Sequence, residues 1–142
     1  MPGLISFAHR GHLKAVKIQH VQDLDVYRAA FRLQQEIFVV SKHWPKEEIY
    51  SLTDQVRRSS RSIGANLSEA WAKRRYQAHF LSKLTDADGE LAETRHWLAT
   101  ASACAYLSEN EQVILKELAE TVGRKLGAMI QKHVQFCLPQ SA

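Results

Sequence analysis

The sequence predicts an all-α chain folded as an antiparallel, up-down-up-down four-helix bundle. Three observations carry this expectation. Only three prolines and six glycines interrupt 142 residues, too few turn-formers for an all-β domain. Apolar residues recur at alternating three- and four-residue steps over four long stretches, the spacing that lines one face of a helix. The breaks between those stretches are short, which forces consecutive helices to run antiparallel. With 45% apolar and 24% charged residues, the composition is that of an ordinary globular domain, and the length suffices to bury one core.

The first helix is expected to open at Asp23 or Asp25, either of which can cap free amide groups, and to run to about His43 with Tyr27, Ala30, Phe31, Ile37 and Phe38 inward. Trp44-Pro45 ends it, because proline pushes the preceding residue out of the α region and suits the first turn of a new helix. Helix two is expected from about Lys46 to Lys73, with Ile49, Leu52, Val56, Ser60, Ile63, Leu67 and Ala70 as its seam. Its middle carries Ser59, Ser60, Ser62, Gly64 and Ala65, small residues that let a neighbouring backbone approach. A glycine inside a helix costs about 1 kcal/mol relative to alanine, so Gly64 is expected to have a packing reason. Asn66, at the flank of the seam where a short amide can bridge helices, is expected to be structural.

Helix three is expected from about Tyr76 to Leu107, with Phe80, Leu84, Ala87, Leu91, Leu98 and Ala101 inward. Ser108 and Glu111 form a capping box that opens helix four, whose seam is Ile114, Leu118, Val122, Leu126, Met129 and Ile130. The domain organisation that follows is a loosely ordered basic arm over residues 1–22, a bundle over 23–136 and a tail over 137–142. The arm lacks the apolar run of a signal peptide, and no segment reaches the roughly 18 consecutive apolar residues of a membrane span. Cys104 and Cys137 are too few for a disulfide framework; free thiols and a cytoplasmic setting are expected.

Motifs for catalysis and metal binding do not assemble. A di-iron bundle needs two Glu-x-x-His elements, and Glu93-Thr94-Arg95-His96 stands alone. His133 and Cys137, four apart, supply two ligands where zinc needs four. No Gly-x-x-x-x-Gly-Lys loop or Gly-x-Gly-x-x-Gly turn occurs, and the serine run in helix two has no base at suitable spacing. Neither an enzyme, nor a metal site, nor a cofactor is expected.

Charge is more informative. The net charge is +4, and the excess is concentrated in the arm, with Arg10, Lys14 and Lys17 and no acid, and in residues 45–75, where seven basic residues meet four acidic ones. With Val56 at the centre of the buried face, helical rotation places Arg57, Arg61, Ser68 and Arg75 near one outward stripe with Arg58 beside it. Guanidinium forks beside hydroxyls suit phosphate oxygens. The alternative is that these arginines pair with Asp86, Asp88, Glu90 or Glu93 on helix three of another subunit.

The run Gln55 to Ala70, reading Gln-Val-Arg-Arg-Ser-Ser-Arg-Ser-Ile-Gly-Ala-Asn-Leu-Ser-Glu-Ala, resembles the helix-two signature of the four-helix-bundle family named for proteins encoded in intervening sequences of large-subunit ribosomal RNA genes. Asp23-Leu24-Asp25-Val26-Tyr27 is similar to that family's helix-one opening, and Trp44-Pro45-Lys46-Glu47-Glu48 to its Phe-Pro-x-x-Glu corner. The likeness spans about residues 23–132. Ala70 stands where the family usually has glycine, and Asp88 to Thr94 varies the family's Gly-Ser-Leu-x-Glu-Leu-Glu segment. The resemblance implies a homopentamer of bundles and kinship to the accessory protein of diversity-generating retroelements, which works with a reverse transcriptase and its RNA through a basic surface. It carries over only Arg57, Arg58 and Arg61; Lys73, Arg74 and Arg75 extend the candidate surface from their charge alone. RNA or DNA, a partner such as a reverse transcriptase, and further copies of the chain are therefore the expected partners, with no membrane among them.

Overall fold

The computed structural model describes residues 18–140, so Arg10, Lys14 and Lys17 of the basic arm lie outside the described residues. Four main helices follow one another: α1 over Asp25–Ser41, α2 over Leu52–Ala72, α3 over Gln77–Ala103 and α4 over Glu109–Gln131, with a single-turn α5 at His133–Phe136. Among the described residues there is no strand. Helix α1 packs on α2 and α4, and α3 packs on the same two, so each helix neighbours the ones before and after it around a square. This is the predicted antiparallel bundle.

The core follows the predicted periods except at a few positions. Leu33, Ile37, Val56, Ile63, Leu67, Phe80, Leu84, Leu115, Val122 and Leu126 are completely or almost completely buried. Phe31, expected inward, is 46% exposed; the buried face of α1 runs through Val26, Ala30, Leu33, Ile37 and Ser41, and Phe31 lies a full 100° step beyond Ala30, stacked on Tyr27 at 6.3 Å between centroids. Ile114 is likewise exposed, because the seam of α4 passes through Leu115 and Ala119. Ile49 is half exposed, because α2 starts later than its pattern predicts.

The cause of that late start is local. After Pro45, Lys46–Glu48 make a 3-10 turn, and Ser51 then departs from helical backbone geometry at φ −123° and ψ −108°. Glu48 holds the corner with both carboxylate oxygens. One accepts the backbone N–H of Leu52 at 3.4 Å, and the other accepts the Tyr106 hydroxyl at 2.9 Å from across the bundle. That bond is the main cause that pushes the Tyr106 phenol from 10 up to about 12. Because the folded value is raised, the stability this bond contributes is complete below pH 10 and is lost as pH climbs through about 12. Titration of tyrosinate absorbance should therefore show a component near pH 12 that disappears in Tyr106→Phe; a single wave near pH 10 in the folded wild type refutes the assignment.

Helix α3 ends in a Schellman motif, with Tyr106 N–H donating to Ala101 carbonyl at 2.9 Å and Ala105 N–H to Ser102 carbonyl at 3.0 Å. The residue that turns the chain there is Ala105, at φ +60°, a conformation that crowds the Cβ of an L-residue. Ala105→Gly is expected to raise stability by about 1 kcal/mol, read as a higher urea midpoint with unchanged slope. A lower midpoint contradicts this account. The next helix opens as predicted: Ser108 Oγ accepts from Glu111 N–H at 3.1 Å and the Glu111 carboxylate accepts from Ser108 N–H at 2.9 Å.

Helix α2 makes its most extensive contact with α3. Ser59, Ser60, Ala87 and Thr94 are buried there, and Thr94 Oγ1 donates to Ser59 Oγ at 2.9 Å. Gly64 is not part of that approach. A methyl built on it would meet the Tyr27 ring at 3.6 Å and Gln34 Oε1 at 3.9 Å, both ordinary contacts, so the packing reason expected for it is absent. Asn66 makes a local bond within its own helix: its Nδ2 donates to Ser62 carbonyl one turn back in α2, at 2.9 Å.

Both flanking segments lie on the α2–α3 corner. The Trp71 indole N–H donates to Gln19 carbonyl at 3.3 Å, the Leu138 N–H donates to Arg74 carbonyl at 3.1 Å, and Gln140 Nε2 donates to Arg75 carbonyl at 3.1 Å. Residues 18–22 thus pack against the bundle, with a 3-10 turn at Val21–Asp23 whose Asp23 carboxylate accepts from His20 and Gln19 amides. The His20 amide is the main reason that this carboxyl is held below its usual range.

Candidate nucleic-acid interface

The six basic residues singled out from the sequence do not form one stripe. Arg57 and Arg61 sit one turn apart on α2 and turn towards α1. Arg58 points away into solvent and approaches Asp54 at 3.9 Å. Lys73 caps the end of α2, and Arg75 lies in the turn beyond it, so the helical rotation that aligned Arg75 with Arg57 does not reach it. From Arg61 to Lys73 is about 18 Å along the helix at 1.5 Å per residue.

Arg74 is taken up by the fold. Its guanidinium stacks on the Trp71 ring at 3.7 Å and its Nε donates to Trp71 carbonyl at 2.9 Å. Burial pushes its pKa down, opposed by the neighbouring Cys137. The same burial pushes the Cys137 thiol up. A guanidinium held this way against indole braces the corner on which both flanking segments rest.

The α1–α2 edge is different. Arg57 Nε donates to Ser41 Oγ at 2.8 Å, and Ser41 in turn donates to Phe38 carbonyl at 3.1 Å. The Phe38 ring has Lys42 Nζ at 4.7 Å, the Arg57 guanidinium at 4.8 Å and the Arg61 guanidinium at 5.5 Å from its centroid. Among the described residues, no carboxylate lies within 4.0 Å of any of the three. Like charges this close repel one another by roughly 0.5 kcal/mol per pair even in water, and the negative face of the ring offsets part of that.

The opposite edge of α2 is neutralised internally. Lys83 of α3 reaches Glu69 at 2.9 Å and Asp86 at 3.7 Å. The hydrogen bond between Lys83 and Glu69 is the main cause that raises the lysine pKa and lowers the carboxyl's.

Helical periodicity does not point to Lys42 or Ser41, and it places Phe38 in the core, where the residue is half-buried instead. A signal for them existed. Phe38 and Lys42 are four apart, as are Arg57 and Arg61, so each pair shares a face of its own helix. Only the packing of α1 on α2 sets the two faces against each other. A groove of about 320 Å³ between α3 and α4 carries Arg95 and Lys116 beside Glu120 over Leu98 and Leu115, and its mixed charges do not converge.

Among the described residues, no group of three or more His, Cys, Asp or Glu could hold a metal ion. His133 Nδ1 lies 2.9 Å from Ile130 carbonyl, and the Cys137 thiol donates to His133 carbonyl at 3.5 Å. No described helix is long and apolar enough to cross a membrane.

Comparison with known proteins bears on this architecture. The model of the family described as 23S rRNA-intervening sequence protein matches residues 22–128. A solved structure from Bacteroides thetaiotaomicron, a protein with unknown function from the S23 ribosomal protein family, matches with a TM-score of 0.68 at 25% identity, over 75% of this chain and 95% of that one. No curated protein matches.

Proposed function

Since the chain belongs to the 23S rRNA-intervening sequence protein family, we propose that it is a non-enzymatic, homo-oligomeric protein that binds nucleic acid through the α1–α2 edge of its bundle. The observation that carries this reading is the set of cations Lys42, Arg57 and Arg61, gathered around the Phe38 ring at the α1–α2 edge and left without carboxylate partners among the described residues. Phosphate contacts of this kind position a protein on nucleic acid without reading sequence. In a ring of subunits, five by the resemblance, the edge is repeated, and multivalency multiplies a weak contact. The role that fits is accessory, in the manner of the protein that accompanies a reverse transcriptase in diversity-generating retroelements. Two free thiols suit a cytoplasmic setting.

A second reading has its own observation. Asp88 and Glu90 on α3 make no ion pair among the described residues, and Phe31 and Val39 on α1 are about half exposed. These are features of a homo-oligomeric scaffold whose subunits meet acid to base and bind no nucleic acid. Fluorescence anisotropy with labelled RNA and duplex DNA across a salt series, alongside native mass determination, separates the two. Binding that weakens steeply with salt supports the first reading. Absence of binding at low salt, with an intact oligomer, leaves the scaffold.

A further inference from the structure

We propose that Lys42, Arg57 and Arg61, gathered around Phe38, form a discrete phosphate-binding cradle, one per subunit, set in place by the Phe38 ring and the Ser41 hydroxyl before any ligand arrives. This rests on the nucleic-acid reading and sharpens it: the edge grips one phosphate group at a fixed place instead of offering diffuse charge.

All three cationic groups lie within 5.5 Å of one point, the centroid of the Phe38 ring. Their arrangement is constrained from below. Ser41 spends its proton on Phe38 carbonyl, which leaves its oxygen to accept Arg57 Nε. The Arg57 fork is thereby oriented, and neither of its terminal nitrogens has a hydrogen-bond partner among the described residues. Such a fork matches two phosphate oxygens side by side. Lys42 supplies a compact ammonium from the neighbouring helix, and Arg61 a second guanidinium one turn along α2.

Three donors of one sign converging from two helices suit a tetrahedral oxyanion with three free oxygens better than a planar carboxylate with two. The ligand class is therefore a phosphoryl group and not an acidic side chain. Arg58, exposed to solvent and 3.9 Å from Asp54, is not among the cations around Phe38 and takes no part. Lys73, Arg74 and Arg75 are too distant to share the same phosphate, being three turns further along the chain's path.

The test uses pyrophosphate as the probe and thermal unfolding as the readout, at low ionic strength matched with chloride and with glutarate as a dicarboxylate control. Pyrophosphate at about ten times its dissociation constant is expected to raise the wild-type midpoint by about 5 °C. Arg58→Gln should keep the rise, whereas Phe38→Leu and Lys42→Gln should lose most of it. Lys42 is exposed, so its variant folds whatever Phe38→Leu does. An equal rise in all four proteins, no rise in the wild type, or as large a rise with glutarate overturns the cradle.

Anisotropy with labelled RNA adds a second readout. Phe38→Leu keeps every charge, so its log-affinity against log-salt slope should match the wild type while affinity falls about three- to tenfold at each salt concentration. Equal affinity of the two proteins also overturns the cradle, yet leaves nucleic-acid binding standing. A wild type that responds to pyrophosphate and binds no nucleic acid retains the cradle and sinks the nucleic-acid reading instead.

Discussion

Replacing Arg57 and Arg61 together by glutamate is expected to lower affinity for RNA or DNA at least a hundredfold near 0.1 M salt, and to flatten the salt dependence. Charge-assisted hydrogen bonds contribute about 1.5–3 kcal/mol each, so two of them correspond to two or more decades of affinity. Each phosphate contact adds close to 0.9 to the slope of log affinity against log salt on a duplex, so loss of the one phosphate held at each edge should lower the slope by about one unit per engaged subunit. Stability should change little, since Arg61 is exposed and the Arg57 bond to Ser41 is a single part-buried contact. The control is Lys73→Glu with Arg75→Glu, which changes net charge by the same amount at the other end of α2. If that pair weakens binding as much as the first, the determinant is overall charge and not the α1–α2 edge. If neither does, the surface lies elsewhere.

Phe80→Ala is expected to cost about 3–5 kcal/mol, the range for deleting a fully buried aromatic ring. Phe80 is 0% exposed in the first turns of α3 and faces Phe136 of α5 at 6.5 Å between ring centroids. A typical domain has only about 5–15 kcal/mol of stability in total, so the variant should sit near the edge of unfolding at 37 °C. Loss of the ring also removes the main aromatic support of α5, on which the Leu138 to Arg74 contact follows. Urea unfolding monitored by circular dichroism gives the answer. A loss below about 2 kcal/mol means that the site collapses to refill the space, and that Phe136 repacks into it.

Most of the fold was legible because helices announce themselves by periodicity. The inward set of α3, from Phe80 to Ala101, is buried throughout, and the Ser108 capping box forms as its spacing implies. What periodicity could not supply is the start of α2, since the Glu48 carboxylate that shapes it is tied to Tyr106, 58 residues away. The errors at Phe31 and Ile114 share one physical root. An apolar residue one step from the seam reads as core in a sequence, and only the packing angle between helices decides which side of the boundary it falls on.

The candidate site was legible in part. Arg57 and Arg61 could be named from α2 alone, but their direction could not, because rotation about one axis says nothing about what stands opposite. Phe38, Ser41 and Lys42 come from another helix, and their juxtaposition with α2 is a tertiary fact. Arg74 shows the reverse error: its charge made it a surface candidate, and the Trp71 ring beside it turned it into a structural brace. Charge counts the residues available for binding, whereas packing decides which of them are free.

The meeting of the two flanking segments on the α2–α3 corner has a topological consequence. Gln19 and Leu138 contact residues only three apart, Trp71 and Arg74, so a short linker could join the two ends of the described chain without crossing any helix. A circular permutant opened in the α1–α2 connection would keep all four helices and their order around the square. Fusions attached at either end of the bundle would emerge together, about 20 Å along α2 from Arg57 at 1.5 Å per residue. Labels and surface tethers placed there would report on the opposite edge without covering it.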